Sequence, residues 1–202
     1  EGMEFGDIIG QKEIISELKS SLKQNRVGHA YVFSGPVGIG KRTVAKIFSK
    51  VLLCEEGKYD ESCGFCQSCR MMESGSHPDF FQIGIEGSKI GIDSIRDIQR
   101  DMVNKPLFSD RKIFLITEAD RMTVQAQNCL LKTLEDPPGH SVIILTVSNY
   151  DSLIETVRSR TVRYKFKNNS YDEVLKLLKS RFGSNLANAG FIAGYANGVI
   201  GT

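Results

Sequence analysis

Residues 30–43 read AYVFSGPVGIGKRT. Ala30–Ser34 is a short apolar run, the composition of a buried strand. Gly35, Gly38 and Gly40 then make a turn, and from residue 42 onward Val44, Ile47, Phe48, Val51 and Leu52 share one helical face. A strand, a glycine loop and a helix in that order form a phosphate cradle. Backbone N–H groups and the positive helix end surround an anion, and Lys41 adds a cation. Gly35, Gly40 and Lys41 fit the spacing G-x-x-x-x-G-K-[ST] up to its last position, where Arg42 replaces the hydroxyl residue.

That replacement bears on catalysis. Magnesium is held by the loop Ser/Thr and by an Asp ending a second apolar strand. Thr43 comes one place late, and successive helix residues turn by about 100°, so it does not simply take over from its neighbour. The second strand, KIFLIT (112–117), ends on Thr117, followed by Glu118, with Asp120 beyond the strand end. Two anchors are missing together, and a guanidinium adds positive charge near the cation's place. The chain is expected to bind ATP weakly or not at all and not to turn it over. The rival reading is a working ATPase with Thr43 and Glu118 standing in.

Around the loop, apolar runs at 79–83, 112–117, 141–147 and 161–166 alternate with helical patterns at 92–103 and from 124 onward. In the first of those helices Ile92, Ile95, Ile98 or Gln99, and Met102 form the stripe; in the second, Thr123 is the N-cap and Pro137–Pro138 the stop. Continuous apolar strands imply burial on both faces. The expectation is an α/β fold, a parallel sheet flanked by helices with right-handed crossovers. After Lys167 the pattern becomes helical. Ser170 and Glu173 form a capping box, Gly183 suits the position after the helix end, and a second helix is expected over 185–196. The division is therefore 1–167 for the nucleotide-binding-like domain and 168–202 for a small helical domain, cut short.

Cys54, Cys63, Cys66 and Cys69 lie within sixteen residues, in a polar Gly-containing stretch spaced C-x8-C-x2-C-x2-C. Four thiolates so placed suit tetrahedral zinc, with a structural role because no coordination position stays open. Disulfides are disfavoured in a cytosolic setting. Cys129 reads as a small buried apolar residue, and His29, His77 and His140 as turn or cap residues beside strands.

The 202 residues suffice for one large and one small domain, and 41% of them are hydrophobic. Lys+Arg number 26 against 24 Asp+Glu, so no global field draws the chain to nucleic acid or membrane. The acidic residues Glu55, Glu56, Asp60 and Glu61 argue against a DNA-binding zinc module. No apolar run is long enough to span a bilayer, and the opening EGMEFGD lacks a signal-peptide layout, with Met3 as the expected start. A cytoplasmic protein is expected.

Taken in order, FGDIIGQ (5–11), GPVGIGK (35–41), the four cysteines, HPDF (77–80), LLKTLEDPP (130–138) and TVRSRT (156–161) resemble the delta-prime subunits of the bacterial DNA polymerase III clamp loader, which are AAA+ proteins. The resemblance implies a subunit of a hetero-oligomeric ring, with gamma/tau and delta subunits as neighbours, that places a sliding clamp on primed DNA. It implies a rigid stator with a degenerate nucleotide site, not an enzyme on its own, and a collar domain beyond the end of this sequence. Gamma/tau motor subunits, the alternative, carry an intact loop Ser/Thr and an Asp-Glu pair, from which Arg42 and Thr117 depart. Ser159 and Arg160 match the family's Ser-Arg-Cys motif, with Thr161 for Cys. The arginine would reach a neighbour's ATP, where a finger can be worth about 10³–10⁵ in rate. Ser148 matches the sensor-1 position.

Overall fold

The computed structural model describes residues 4–56, 60–84, 89–182 and 198–199. Five strands form one parallel sheet: β1 (Ala30–Ser34), β2 (Phe80–Ile83), β3 (Lys112–Ile116), β4 (Ser141–Val147) and β5 (Val162–Lys165), in spatial order β2-β3-β4-β1-β5. Every residue of β1, β3 and β4 is buried, as continuous apolar runs require of strands covered on both faces. The strand limits fall within one residue of those expected. Asp79, Thr117, Thr161 and Phe166 fall just outside, although the backbone of Asp79, Thr117 and Phe166 still hydrogen-bonds to the neighbouring strand.

Alternation along the strands splits the core. Tyr31, Phe33, Ile113, Leu115, Val142 and Ile144 face α1 (Lys12–Lys23) and α2 (Lys41–Leu53). Ala30, Val32, Phe114, Ile116, Ile143 and Leu145 face α4 (Ile92–Val103), α5 (Val124–Glu135) and α6 (Glu155–Arg158). A further helix, α3 (Gln67–Ser74), follows α2 across the cysteine stretch. In α4 the stripe takes Ile98 inward. Gln99 instead bridges to α5, its Nε2 lying 2.9 Å from both the Cys129 carbonyl and Thr133 Oγ1. Cys129 departs from the expectation: it is only partly buried, and its Sγ donates to Gln99 Oε1 over 3.3 Å.

Thr123 caps α5 by accepting from the Ala126 N–H at 3.1 Å. At the start of α7 (Tyr171–Phe182), the Ser170 N–H donates to Glu173 at 2.8 Å and the Glu173 N–H to Ser170 Oγ at 3.2 Å, the reciprocal cap read from the sequence. The Gly183 cap and the helix over 185–196 lie outside the described residues.

The N-terminal stretch is fastened to the segment leading into α7. Gln11 Nε2 donates to the Lys167 carbonyl at 2.6 Å, and the Lys167 N–H donates to Gln11 Oε1 at 3.2 Å. Gly10 permits this approach: at φ +77°, a Cβ there would lie 1.9 Å from Asn169 Oδ1.

Candidate functional site

The glycine loop joins the C-terminal end of β1 to α2. Gly35, Gly38 and Gly40 have φ of 155°, 75° and 93°, and Gly40 begins the helix in left-handed geometry. A Cβ on Gly35 would meet the Phe166 carbonyl at 2.7 Å, so the loop lies directly against the end of β5. Lys41 is 8% exposed, and its Nζ donates to the carbonyls of Gly35 and Pro36, each at 2.6 Å. Burial lowers the Lys41 pKa; the negative fields of Asp120 and Glu118 oppose that shift.

Beyond Lys41 the side chains diverge. Arg42 is exposed, whereas Thr43 is partly buried. Both line a groove of about 710 Å³ beside α2, together with Lys46, Phe80 and Gln82. Thr117 lies buried one residue past β3, and its hydroxyl donates to the Ile83 carbonyl at 2.8 Å. That bond occupies the hydroxyl in joining β2 to β3. Glu118 is left-handed at φ 52° and ψ 46°, its N–H donates to Thr146 Oγ1 at 3.2 Å, and its carboxylate pairs with Arg121 at 2.9 Å. A left-handed glutamate is an uncommon, strained residue, and it stands at the carboxyl end of the strands, where open α/β folds meet their ligands. Ser148 is exposed just after β4.

Asp120 is the residue that sequence reasoning set aside. Its Oδ1 is buried without a hydrogen-bond partner among the described residues, and its charge is felt at Lys41. Asp120 lies in the short ADR turn (119–121), which folds as a 3-10 helix just past the end of β3.

The four cysteines converge. Their Sγ atoms all lie within 4.8 Å of one another, and the pairs Cys54–Cys66 and Cys63–Cys69 are each 3.9 Å apart. No disulfide joins them, and they stand at the separation that a tetrahedral zinc with Zn–S bonds of about 2.3 Å sets, about 3.8 Å. Cys54 ends α2 and Cys66 caps α3, so the cluster joins two helices. N–H groups of Cys63, Cys66 and Cys69 donate to sulfurs of Cys54, Cys63 and Cys66 at 3.2–3.4 Å, a pattern that favours thiolates. The module also grips α2 by charge: Lys50, 5% exposed, pairs with Glu4 at 3.0 Å and Glu73 at 2.9 Å.

His77 serves a turn. Its Nδ1 accepts from the Asp79 N–H at 3.1 Å, which places the proton on Nε2, 2.8 Å from Ser68 Oγ. Burial lowers its pKa, outweighing Asp79 and Glu55. Asp79 accepts from the N–H groups of Leu107, Phe108 and Ser109 at 2.7–2.8 Å, fixing the loop before β3.

Ser159 and Arg160 follow α6 on the opposite side of the sheet from α2. Ser159 is exposed and donates to the Thr156 carbonyl at 3.1 Å. Arg160 pairs with Glu135 at 2.9 Å and donates to the Thr156 carbonyl at 3.0 Å. Its basic neighbours are engaged too. Arg158 pairs with Asp151 at 2.8 Å, while Arg163 stacks 3.5 Å from the Tyr150 ring and donates to Ser34 Oγ at 3.0 Å.

A family model described as DNA polymerase III, delta subunit, matches residues 10–170. The chain is 39% identical over 163 residues to the DNA polymerase III subunit tau of Bacillus subtilis, covering 81% of this chain and 29% of that one. It is 34% identical over 175 residues to the DNA polymerase III subunit gamma of Buchnera aphidicola from Acyrthosiphon pisum, covering 87% of this chain and 48% of the relative. It thus spans less than half the length of either. Among solved structures, the DNA polymerase III gamma subunit-related protein of Thermotoga maritima aligns with a TM-score of 0.58 at 24% identity, covering 91% of this chain and 58% of that one. The Thermotoga maritima RuvB branch migration motor aligns with a TM-score of 0.65 at 16% identity, covering 98% and 60%. These likenesses show that the fold is the AAA+ one.

Proposed function

This chain belongs to the family of DNA polymerase III clamp-loader subunits, and from that membership we propose that it is the loader's non-hydrolysing, delta-prime-type member. In this reading it stands in a ring with gamma/tau and delta subunits in the cytoplasm. It helps to set a sliding clamp on primed DNA, and it acts on ATP held by its neighbour. The carrying observation is Thr117: the residue at the magnesium-binding position has no carboxylate, and its hydroxyl is spent on Ile83. Arg42 removes the other anchor. The cradle itself, Gly35, Gly38, Gly40 and Lys41, is retained, with Lys41 donating to the Gly35 and Pro36 carbonyls.

Influence on catalysis then runs through Arg160. A guanidinium stays charged at all working pH values and grips phosphate oxygens in a two-pronged fork. Cys54, Cys63, Cys66 and Cys69 would hold a zinc ion, which supplies cross-linking rather than chemistry. Nucleotide titration with and without magnesium tests the reading, together with single-turnover hydrolysis against a Lys41→Ala control. Hydrolysis by the purified chain above that control contradicts it. In a reconstituted loader, Arg160→Ala should depress DNA-stimulated ATPase.

A second reading, an active gamma/tau-type ATPase, draws on the tau and gamma relatives and on Asp120. Its unbonded carboxylate oxygen lies within electrostatic reach of Lys41 and offers an acid where Thr117 gives none. Loss of magnesium-dependent nucleotide binding in Asp120→Asn would favour it.

A further inference from the structure

Glu135 is the last residue of α5. Unpaired carbonyls make a helix C-terminus partly negative, so a carboxylate there is repelled by its own helix. It is followed by a second acid, Asp136. Its ion-pair partner among the described residues is Arg160, at 2.9 Å. The other prong of the guanidinium is held by α6: Nη1 donates to the Thr156 carbonyl at 3.0 Å and approaches Ser159 Oγ at 3.4 Å. The Arg160 side chain nonetheless remains 35% exposed. Arg160 is therefore aimed, rather than loose, at the junction of two helices.

We infer that Glu135 is a positioning residue for Arg160, a stand-in anion that fixes the direction of the guanidinium until a neighbour's phosphate takes its place. The inference rests on the reading of Arg160 as a finger. The chemistry suits an exchange. An ion pair this exposed holds weakly, so it orients the side chain without trapping it. A polyphosphate carries more charge and more acceptor oxygens than one carboxylate, so it displaces Glu135 when the subunits meet. Thr156 and Ser159 keep their hold on the fork throughout.

The test is steady-state, DNA-stimulated ATPase of the reconstituted loader containing wild-type chain, Glu135→Gln, Glu135→Asp or Arg160→Ala. Loader assembly and thermal unfolding are checked for each. We expect Glu135→Gln to lower kcat about three- to thirty-fold with KM for ATP within about twofold, a misdirected finger costing less than an absent one. Glu135→Asp, which keeps the charge, should recover most of the loss. A wild-type or raised kcat in Glu135→Gln, with Arg160→Ala impaired, overturns the positioning role alone. An unimpaired Arg160→Ala overturns the finger reading itself.

Discussion

Gln11 and Lys167, 156 residues apart in sequence, close a two-way backbone clasp: the amide of Gln11 donates to the Lys167 carbonyl at 2.6 Å and accepts its N–H at 3.2 Å. The glutamine does for residue 167 what a neighbouring strand would do. Gln11→Ala leaves both backbone groups to solvent and should cost about 1–2 kcal/mol. Chemical denaturation reads that loss. Gln11→Glu, which keeps the acceptor but no donor, should retain part of the stability.

Restoring the missing anchors should restore the metal. The double change Arg42→Ser with Thr117→Asp is expected to raise affinity for ATP at least tenfold in the presence of magnesium, and not in its absence. Calorimetric titration checks this. Thr117→Asp alone should achieve less, since it forfeits the bond to Ile83 while Arg42 still repels the cation.

Elemental analysis of protein purified without chelator should return one zinc per chain. Cys66→Ser should lose the metal and melt lower, because Cys66 is both a ligand candidate and the cap of α3. Binding of DNA by the loader should suffer less than folding.

Acid should loosen the loop before β3 in two stages. His77 has a lowered pKa, so its contribution is complete above the unfolded value of about 6.5 and fades as pH falls toward its folded one. For Asp79, burial raises the pKa, but three N–H bonds outweigh it and the net shift is downward. Its contribution is complete above about 3.9 and is lost as pH falls through the lower folded value. Stability measured against pH should show both, and Asp79→Asn should remove the lower stage at a cost of about 2–3 kcal/mol.

Legibility in the sequence followed burial. β1, β3 and β4 are covered on both faces, so apolarity alone announces them. Cysteine spacing announced the thiol cluster. The helix α1 was legible but overlooked: Ile14, Leu18 and Leu22 recur every fourth residue. By contrast, α3 buries only Ser68 and Cys69 and offers no apolar stripe to find. The field of Asp120 at Lys41 and the pairing of Glu135 with Arg160 were out of reach for a different reason. Both depend on chain reversals that bring an acid to a base across the fold, and periodicity carries no trace of them.

The sheet ends on one side at β5, where Val162, Arg163 and Lys165 are exposed and only Tyr164 turns inward. An open border of this kind invites a strand from another molecule, and cationic side chains are the usual guard against it. Two copies meeting border to border would set arginine and lysine against their own kind. The charges on this rim thus oppose pairing of the border with a second copy of itself.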